Sequence, residues 1–287
     1  MFSVELWREI FDYFHLNDLW YSFHGLNPHI SAIIDQTIVH LNFEQQDSYD
    51  YFVDNILPSI NINNIRSLKL QNAFEIHDFF SIYSLESLQQ IQFLSLNFRY
   101  YDDNTPFQFW NQLSSLKYLQ SLKIIHHQRY WSDSNYEEKN LIFYSIFSEN
   151  CCPSLKSLSV RTGGLCCRSS IPSLIPTSAT PHIEYLSIDV STFEDLSKLF
   201  FALQHLKSFP INFFQLYSDQ NYDKQWKDMM VLTPIMPNCI RLHLNLPSHM
   251  SFKHVKYLLR QTPDLQYLIL SGQKHLLKAR RWEKLLL

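Results

Sequence analysis

Glycine is almost missing from this chain, with 4 in 287 residues. That scarcity excludes the phosphate-cradling turns: neither GxGxxG nor a P-loop can be assembled, and GxSxG and HExxH are absent as well. The one glycine pair, in RTGGLCCRSS, lacks a strand-turn-helix setting and a following Lys-Ser/Thr, so it reads as an irregular surface loop. Cysteine is also sparse. Cys151, Cys152, Cys166, Cys167 and Cys239 are odd in number and include two adjacent pairs, which is no disulfide framework. Four thiolates would suit zinc, but neighbouring cysteines point apart and the two-residue spacer is missing, so reduced thiols at a helix-to-strand junction are expected. His126-His127 has no second ligand at fixed spacing and reads as solvated rim. No catalytic residue, metal or cofactor is expected.

Long apolar runs are lacking too. No stretch approaches the ~18–20 uncharged residues of a membrane helix, and Glu5, Arg8 and Glu9 interrupt the N-terminus where a signal peptide has its apolar region. Not one of the eighteen asparagines begins an Asn-x-Ser/Thr sequon. The expectation is a soluble, unsecreted protein of the cytoplasm, the nucleus or both, without a membrane partner.

Charge of one sign runs short at each end. Residues 1–60 hold nine acidic residues against one basic, Arg8, and residues 241–287 hold nine basic against two acidic, within a total of −3. The C-terminal cations alternate with Leu and Trp in KHLLKARRWEKLLL, which favours an amphipathic helix over a nucleic-acid arm.

What is abundant is core material: 46% apolar residues, with 22 Phe and 16 Tyr. A chain this long exceeds most single cores, so it is two domains or one elongated array. Nine hexamers share the form apolar-x-x-apolar-x-apolar: IVHLNF at 38, IRSLKL at 65, IQFLSL at 91, LQSLKI at 119, LKSLSV at 155, IEYLSI at 183, LKSFPI at 206, CIRLHL at 239 and LQYLIL at 265. Their mean spacing of about 28 residues is that of a leucine-rich solenoid. The last two apolar positions alternate with polar ones, as a half-buried strand requires, and the first anchors the turn leading in.

Between the hexamers the pattern turns helical. In STFEDLSKLFFALQHL, Ser191 and Glu194 form a capping box ahead of an apolar face, and in SFKHVKYLLRQTP, Ser251 caps a face of Phe252, Val255 and Leu259 that Pro263 ends. Pro153, Pro181, Pro237 and Pro263 each stand two residues before the first apolar position of a unit, a second register mark. The fold class expected is α/β: a parallel solenoid of strand plus helix over 37–287, about nine irregular units, behind a short helical module over 1–36.

That module is dense in apolar side chains. Leu6, Ile10 and Phe14 recur at helical spacing with Phe11 beside them, on a helix that Ser3 can cap; Asn17 then offers a second cap and Asn27-Pro28 a third. Three short helices need support from the first strand of the array, and a solenoid needs a cap over its first unit.

CPSLKSLSV, TPDLQYLIL and PNCIRLHLNL resemble the leucine-rich repeats of F-box proteins. Glu5-Leu6, Ile10-Phe11, Phe14 and Asp18-Leu19 resemble the F-box itself, with Phe2 standing where that family has Leu and Ser3 where it has Pro. The resemblance implies docking on a Skp-type adaptor, and through it a cullin-RING ubiquitin ligase, by Phe2, Leu6, Ile10, Phe11, Phe14 and Leu19. It also implies a protein substrate held on the repeats. The alternative is an interaction scaffold whose N-terminal helices only cap the array.

In a solenoid the polar strand positions line up as one concave surface. Lys69, Lys123, Arg161, Tyr185, Asp189, Arg241, His243 and Tyr267 fall there, a mixture that suits protein recognition better than a basic nucleic-acid track.

Overall fold

The computed structural model describes residues 3–11, 13–14, 16–43, 49–98, 108–126, 146–147, 151–161, 182–190, 203, 205–213, 236–246, 251–272 and 282. The chain begins with three short helices, α1 (Val4–Phe11), α2 (Leu16–Phe23) and α3 (Pro28–Gln36). Ser3 caps α1 through a bond from the Leu6 amide to its Oγ at 3.3 Å. The carboxyl of Glu5 in that first turn is held below its ordinary value, first by a backbone amide and then by the Ser3 hydroxyl. Asn27 caps α3, its Oδ1 accepting from the Ile30 amide at 2.9 Å with Pro28 at the first helical position, as the spacing predicts. Asn17 is no cap: α2 begins one residue earlier, at Leu16. Gly25 has φ +81 between α2 and α3, and only glycine takes that left-handed turn without strain.

Nine strands follow among the described residues: β1 (Val39–Asn42), β2 (Ile65–Leu70), β3 (Phe93–Phe98), β4 (Ser121–His126), β5 (Ser157–Arg161), β6 (Tyr185–Val190), β7 (Ser208–Phe213), β8 (Arg241–Leu246) and β9 (Tyr267–Gly272). They form one sheet in sequence order, every neighbour parallel. The hexamers stack in register, so that Leu68, Leu94, Leu122, Leu158 and Leu186 align as one row and Leu70, Leu96, Ile124, Val160 and Ile188 as another. Both rows are buried, which is what a period-2 alternation with one covered face produces. The first unit departs from the pattern. Its pairing shifts between Val39 and His40, so Val39 takes the buried anchor place and Ile38 is exposed.

The crossovers back the apolar face of the sheet. Between β1 and β2 a helical turn at Tyr49–Tyr51 opens into a wider π-type turn, Phe52–Ile56, whose Phe52 and Ile56 are buried. Helix α4 (Ala73–Ile82) buries Ile76 and Phe79, and a 3-10 stretch at Gln108–Ser115 carries the buried Trp110 and Leu113. Helix α5 (Phe252–Arg260) buries Val255 and Leu258. The capping-box helix expected at Ser191 and Glu194 lies outside the described residues, as do Phe2, His127 and the RTGGLCCRSS loop beyond Arg161.

Proline plays a more specific part than helix stop. Pro153, Pro237 and Pro263 each occupy the second place of a tight turn, closed by bonds from Leu155 to Cys152 (2.9 Å), Cys239 to Met236 (3.3 Å) and Leu265 to Thr262 (3.2 Å). The same turn without proline precedes β3, β4 and β7, from Leu88, Leu116 and Leu203. All six residues that open these turns are buried. After the turns before β4, β5, β7, β8 and β9 two successive amides donate to one carbonyl of the preceding unit, as Gln120 and Ser121 do to Gln92 at 2.8 and 3.0 Å, which ties unit to unit ahead of the strands.

Candidate interaction surfaces

Helix α1 carries an apolar stripe wider than one neighbour can cover. Its inner half, Val4, Trp7 and Phe11, packs with Leu19, Phe23, Ile30, Ile33 and Ile34 into a small core of its own. Rings pack at a tilt there, Trp7 against Phe11 at 5.3 Å and Phe11 against Phe23 at 5.5 Å. Phe11 is 1% exposed and Leu19 3%, so these two adaptor-face candidates serve the module's interior. The outer half keeps Leu6 at 39% and Phe14 at 43% exposure, with Ile10 half-buried between them and Tyr13, which the spacing had not marked, exposed beside Phe14.

Capping the array falls to α2 instead. Leu16 belongs to the solenoid core, and Trp20 packs against both that core and the module. Tyr21 stacks on Tyr51 at 5.5 Å, and the Asn64 side-chain amide donates to the Asp35 carbonyl at 2.8 Å, closing the joint at its rim.

On the sheet, residues on either side of the buried rows point away from the core. Lys69, Ser95 and Lys123 align across β2, β3 and β4; both lysines are half-buried, and Ser95 between them is buried rather than solvated. Asn97, two residues on from Ser95, donates to Gln71 Oε1 at 3.3 Å while its own Oδ1 is buried without a partner. Arg161 is exposed at the end of β5. Tyr185, Ser208, Arg241 and Tyr267 align across β6 to β9, with the Arg241 guanidinium 5.0 Å from the Tyr267 ring centre. His243 is half-buried beside exposed Ile269. Asp189 lies on β6, and its side chain is outside the described residues. At the mouth of these strands Lys207 bonds Glu184 at 2.8 Å, which lowers the carboxyl's affinity for its proton and raises the ammonium's.

Elsewhere the polar chemistry is structural. Cys151 and Cys152 are buried thiols outside any disulfide, their sulfurs 3.7 Å apart; the Cys152 thiol donates to the Leu113 carbonyl at 3.3 Å, and its contact with Cys151 and then burial raise its pKa. Burial pushes Cys239 up to about 11. Raised thiols are poor nucleophiles and poor metal ligands. No cluster of three His, Cys, Asp or Glu occurs among the described residues, and Cys166 and Cys167 are not among them. Glu75 is buried as the reciprocal cap of α4, accepting from the Gln71 amide and the Asn72 side chain at 2.6 Å each, while Tyr49 donates to the Glu75 carbonyl and to Asp78 at 3.0 Å. Burial raises both Glu75 and Tyr49.

No protein-family model matches the chain, and no curated protein matches it. Among solved structures it is similar to the leucine-rich repeat-containing protein LegL7 from Legionella pneumophila, at 18% identity over 95% of this chain and 88% of that one, with a TM-score of 0.45. The fold is an α/β solenoid of leucine-rich-repeat type. Its strand ladder, one hexamer per rung, carries that statement. No described helix is long and apolar enough to cross a membrane.

Proposed function

We propose that this chain is the substrate-receptor subunit of a Skp/cullin-type ubiquitin ligase, docking its adaptor through α1 and holding a protein substrate on the outer face of the sheet. One observation carries the reading: capping is done by α2, through Leu16 and Trp20, while Leu6 on α1 and Tyr13 and Phe14 just past its end keep exposed apolar surface, with Ile10 packed in part against the module core and the Phe14 ring edge-on to Phe23 at 5.7 Å. A helix that served only as a cap would have its apolar stripe covered, and contiguous exposed apolar groups of this size mark an interaction site. The resemblance of Glu5-Leu6, Ile10-Phe11 and Asp18-Leu19 to the F-box gives that site a partner. On this reading the protein performs no bond chemistry, takes no cofactor, and works in the cytoplasm or nucleus.

The test is co-expression with a Skp-type adaptor. The intact chain should co-elute with it, and Leu6→Asp with Tyr13→Asp, both at exposed positions, should abolish capture while the thermal melt is unchanged. Phe11 is the wrong residue to alter, because a charge there would dissolve the module rather than its outer face. Failure of the intact full-length chain to bind would leave the scaffold reading, in which the helices only cap the array.

A further inference from the structure

We infer that His182 and His205 form a two-histidine site for a divalent transition-metal ion of the zinc, nickel or copper class, on the rim where the chain enters β6 and β7. The two rings lie with their centres 5.4 Å apart at a tilt of 44°. An ion held tetrahedrally stands ~2.0–2.1 Å from each imidazole nitrogen and so about 3.2 Å from each ring centre, which sets two bound rings about 5.2 Å apart. The spacing in the protein is already that of a chelating pair. The tilt matters as well, because the lone pairs lie in the ring planes, and planes that are not parallel can meet on one ion. Both side chains are exposed and can turn to complete the geometry.

The repeat presets this spacing. His182 and His205 stand directly before Ile183 and Leu206, the buried first apolar residues of successive units, and both imidazoles are turned to solvent. Tyr185 pairs with Ser208 in register, and the amides of Lys207 and Ser208 donate to the Glu184 carbonyl at 2.8 and 3.0 Å. The backbones that carry the two histidines are therefore held about one strand step apart, ~4.8 Å. His205 is the third residue of the turn that Leu203 opens. At that place in other units stand Gln90, Tyr118, Ser154, Asn238 and Asp264, so the turn itself does not call for imidazole. Nearby charge does not oppose a dication, because the Lys207 ammonium is neutralised by Glu184 at 2.8 Å. Two nitrogens leave the remaining positions of the ion to water, and they favour ions that prefer imidazole over Mg2+ and Ca2+, which prefer oxygen. Spacing along the sequence does not reveal such a site, since its ligands come from different units and meet only across the ladder.

The experiment is calorimetric titration of the full chain with Zn2+ alone, after treatment with a chelator and with the thiols kept reduced. His182→Gln and His205→Gln should each weaken one saturable site by about tenfold or more, and the two together should weaken it no further, because losing either nitrogen already breaks the chelate. His77→Gln, at an exposed histidine on α4, should leave that site within about twofold. Mg2+ should give no binding heat. Hydrogen exchange supplies a second reading: Zn2+ should slow the amides of β6 and β7 in the parent and not in the double variant, since the ion links the two units. The metal-free melts of all variants should match the parent, because the altered positions are exposed. The inference is overturned if Zn2+ fails to bind, if Mg2+ binds as tightly, or if uptake is unchanged in both histidine variants, which would mean an adventitious ion only, held by other residues.

Discussion

Glu75 is a carboxylate in the interior, and its titration follows from its surroundings. Burial raises its native pKa above the unfolded value of about 4.3, although the Gln71 amide and the Asn72 side chain oppose the rise. Below the unfolded value the group is protonated in both states. As pH climbs through the raised native value the unfolded chain releases its proton more readily, so this part of the stability is lost with rising pH. Glu75→Gln cannot titrate, so its melting temperature relative to the parent should improve as pH rises from about 4 and level off once the raised native value is passed; a pH-independent difference would refute the assignment. Glu75→Ala should be worse at every pH, by about 1–3 kcal/mol, because it strands two donors at the start of α4. Residues of this kind were only partly visible in the sequence. Helical spacing located Leu6, Ile10, Phe11 and Phe14 on one broad stripe but could not tell its halves apart, since which half is buried depends on where α2 and α3 pack.

At the scale of elements, the strands were the most legible part, because an apolar-x-x-apolar-x-apolar repeat permits one alternation and one covered face. Eight of the nine units fell in place by that rule, and the first slipped by one residue where Val39 replaced Ile38. The turns were read by proline alone. The stronger signal is the buried residue three places before each unit's first apolar position, namely Leu88, Leu116, Cys152, Leu203, Met236 and Thr262, five of them apolar. Cys152 reaches its turn at φ +46, left-handed backbone that a side chain tolerates poorly, and its thiol bond to Leu113 helps hold it there. Burial then grades the strands. Leu96 in β3 has neighbours on both sides and is fully buried, whereas Leu270 at the matching place in β9 is half-buried. Leu96→Ala should cost about 3 kcal/mol through transfer and cavity, and Leu270→Ala roughly 1 kcal/mol, measured by denaturant melts. Equal costs would mean that the last unit is as well packed as the middle ones.

Across the whole molecule, the sheet has two unlike ends. Strands stacked in sequence order put the described acidic residues of the first sixty towards one end and Arg241, Lys253, Lys256 and Arg260 towards the other, the outer strands being roughly 40 Å apart at ~4.8 Å per strand step. At the first end, Val39, Leu41 and Phe43 are as buried as residues in the middle of the array, although no described strand lies beyond them. Their cover comes from Phe52 and Tyr49 behind β1, whose rings meet Phe43 edge-on at 5.2 and 5.1 Å, and from Leu16 and Trp20 of α2. On the proposed reading the helical module does two separable things with two helices, and substitutions in each should separate them. Leu16→Asp places a charge in the solenoid core, with a penalty of several kcal/mol for an unpaired buried ion. It should lower the melting temperature and, by hydrogen exchange, expose β1 and β2 first, because each rung is held mainly by its neighbours. Leu6→Asp changes a half-exposed position and should leave both the melt and the exchange pattern of β1 intact. Removing residues 1–36 altogether should reproduce the Leu16→Asp defect in stronger form, with precipitation of the remaining 37–287 as the bare edge of β1 meets other copies. A truncated array that stayed monomeric, with β1 protected, would show that α2 is no cap and would leave the burial of Leu16 without a purpose.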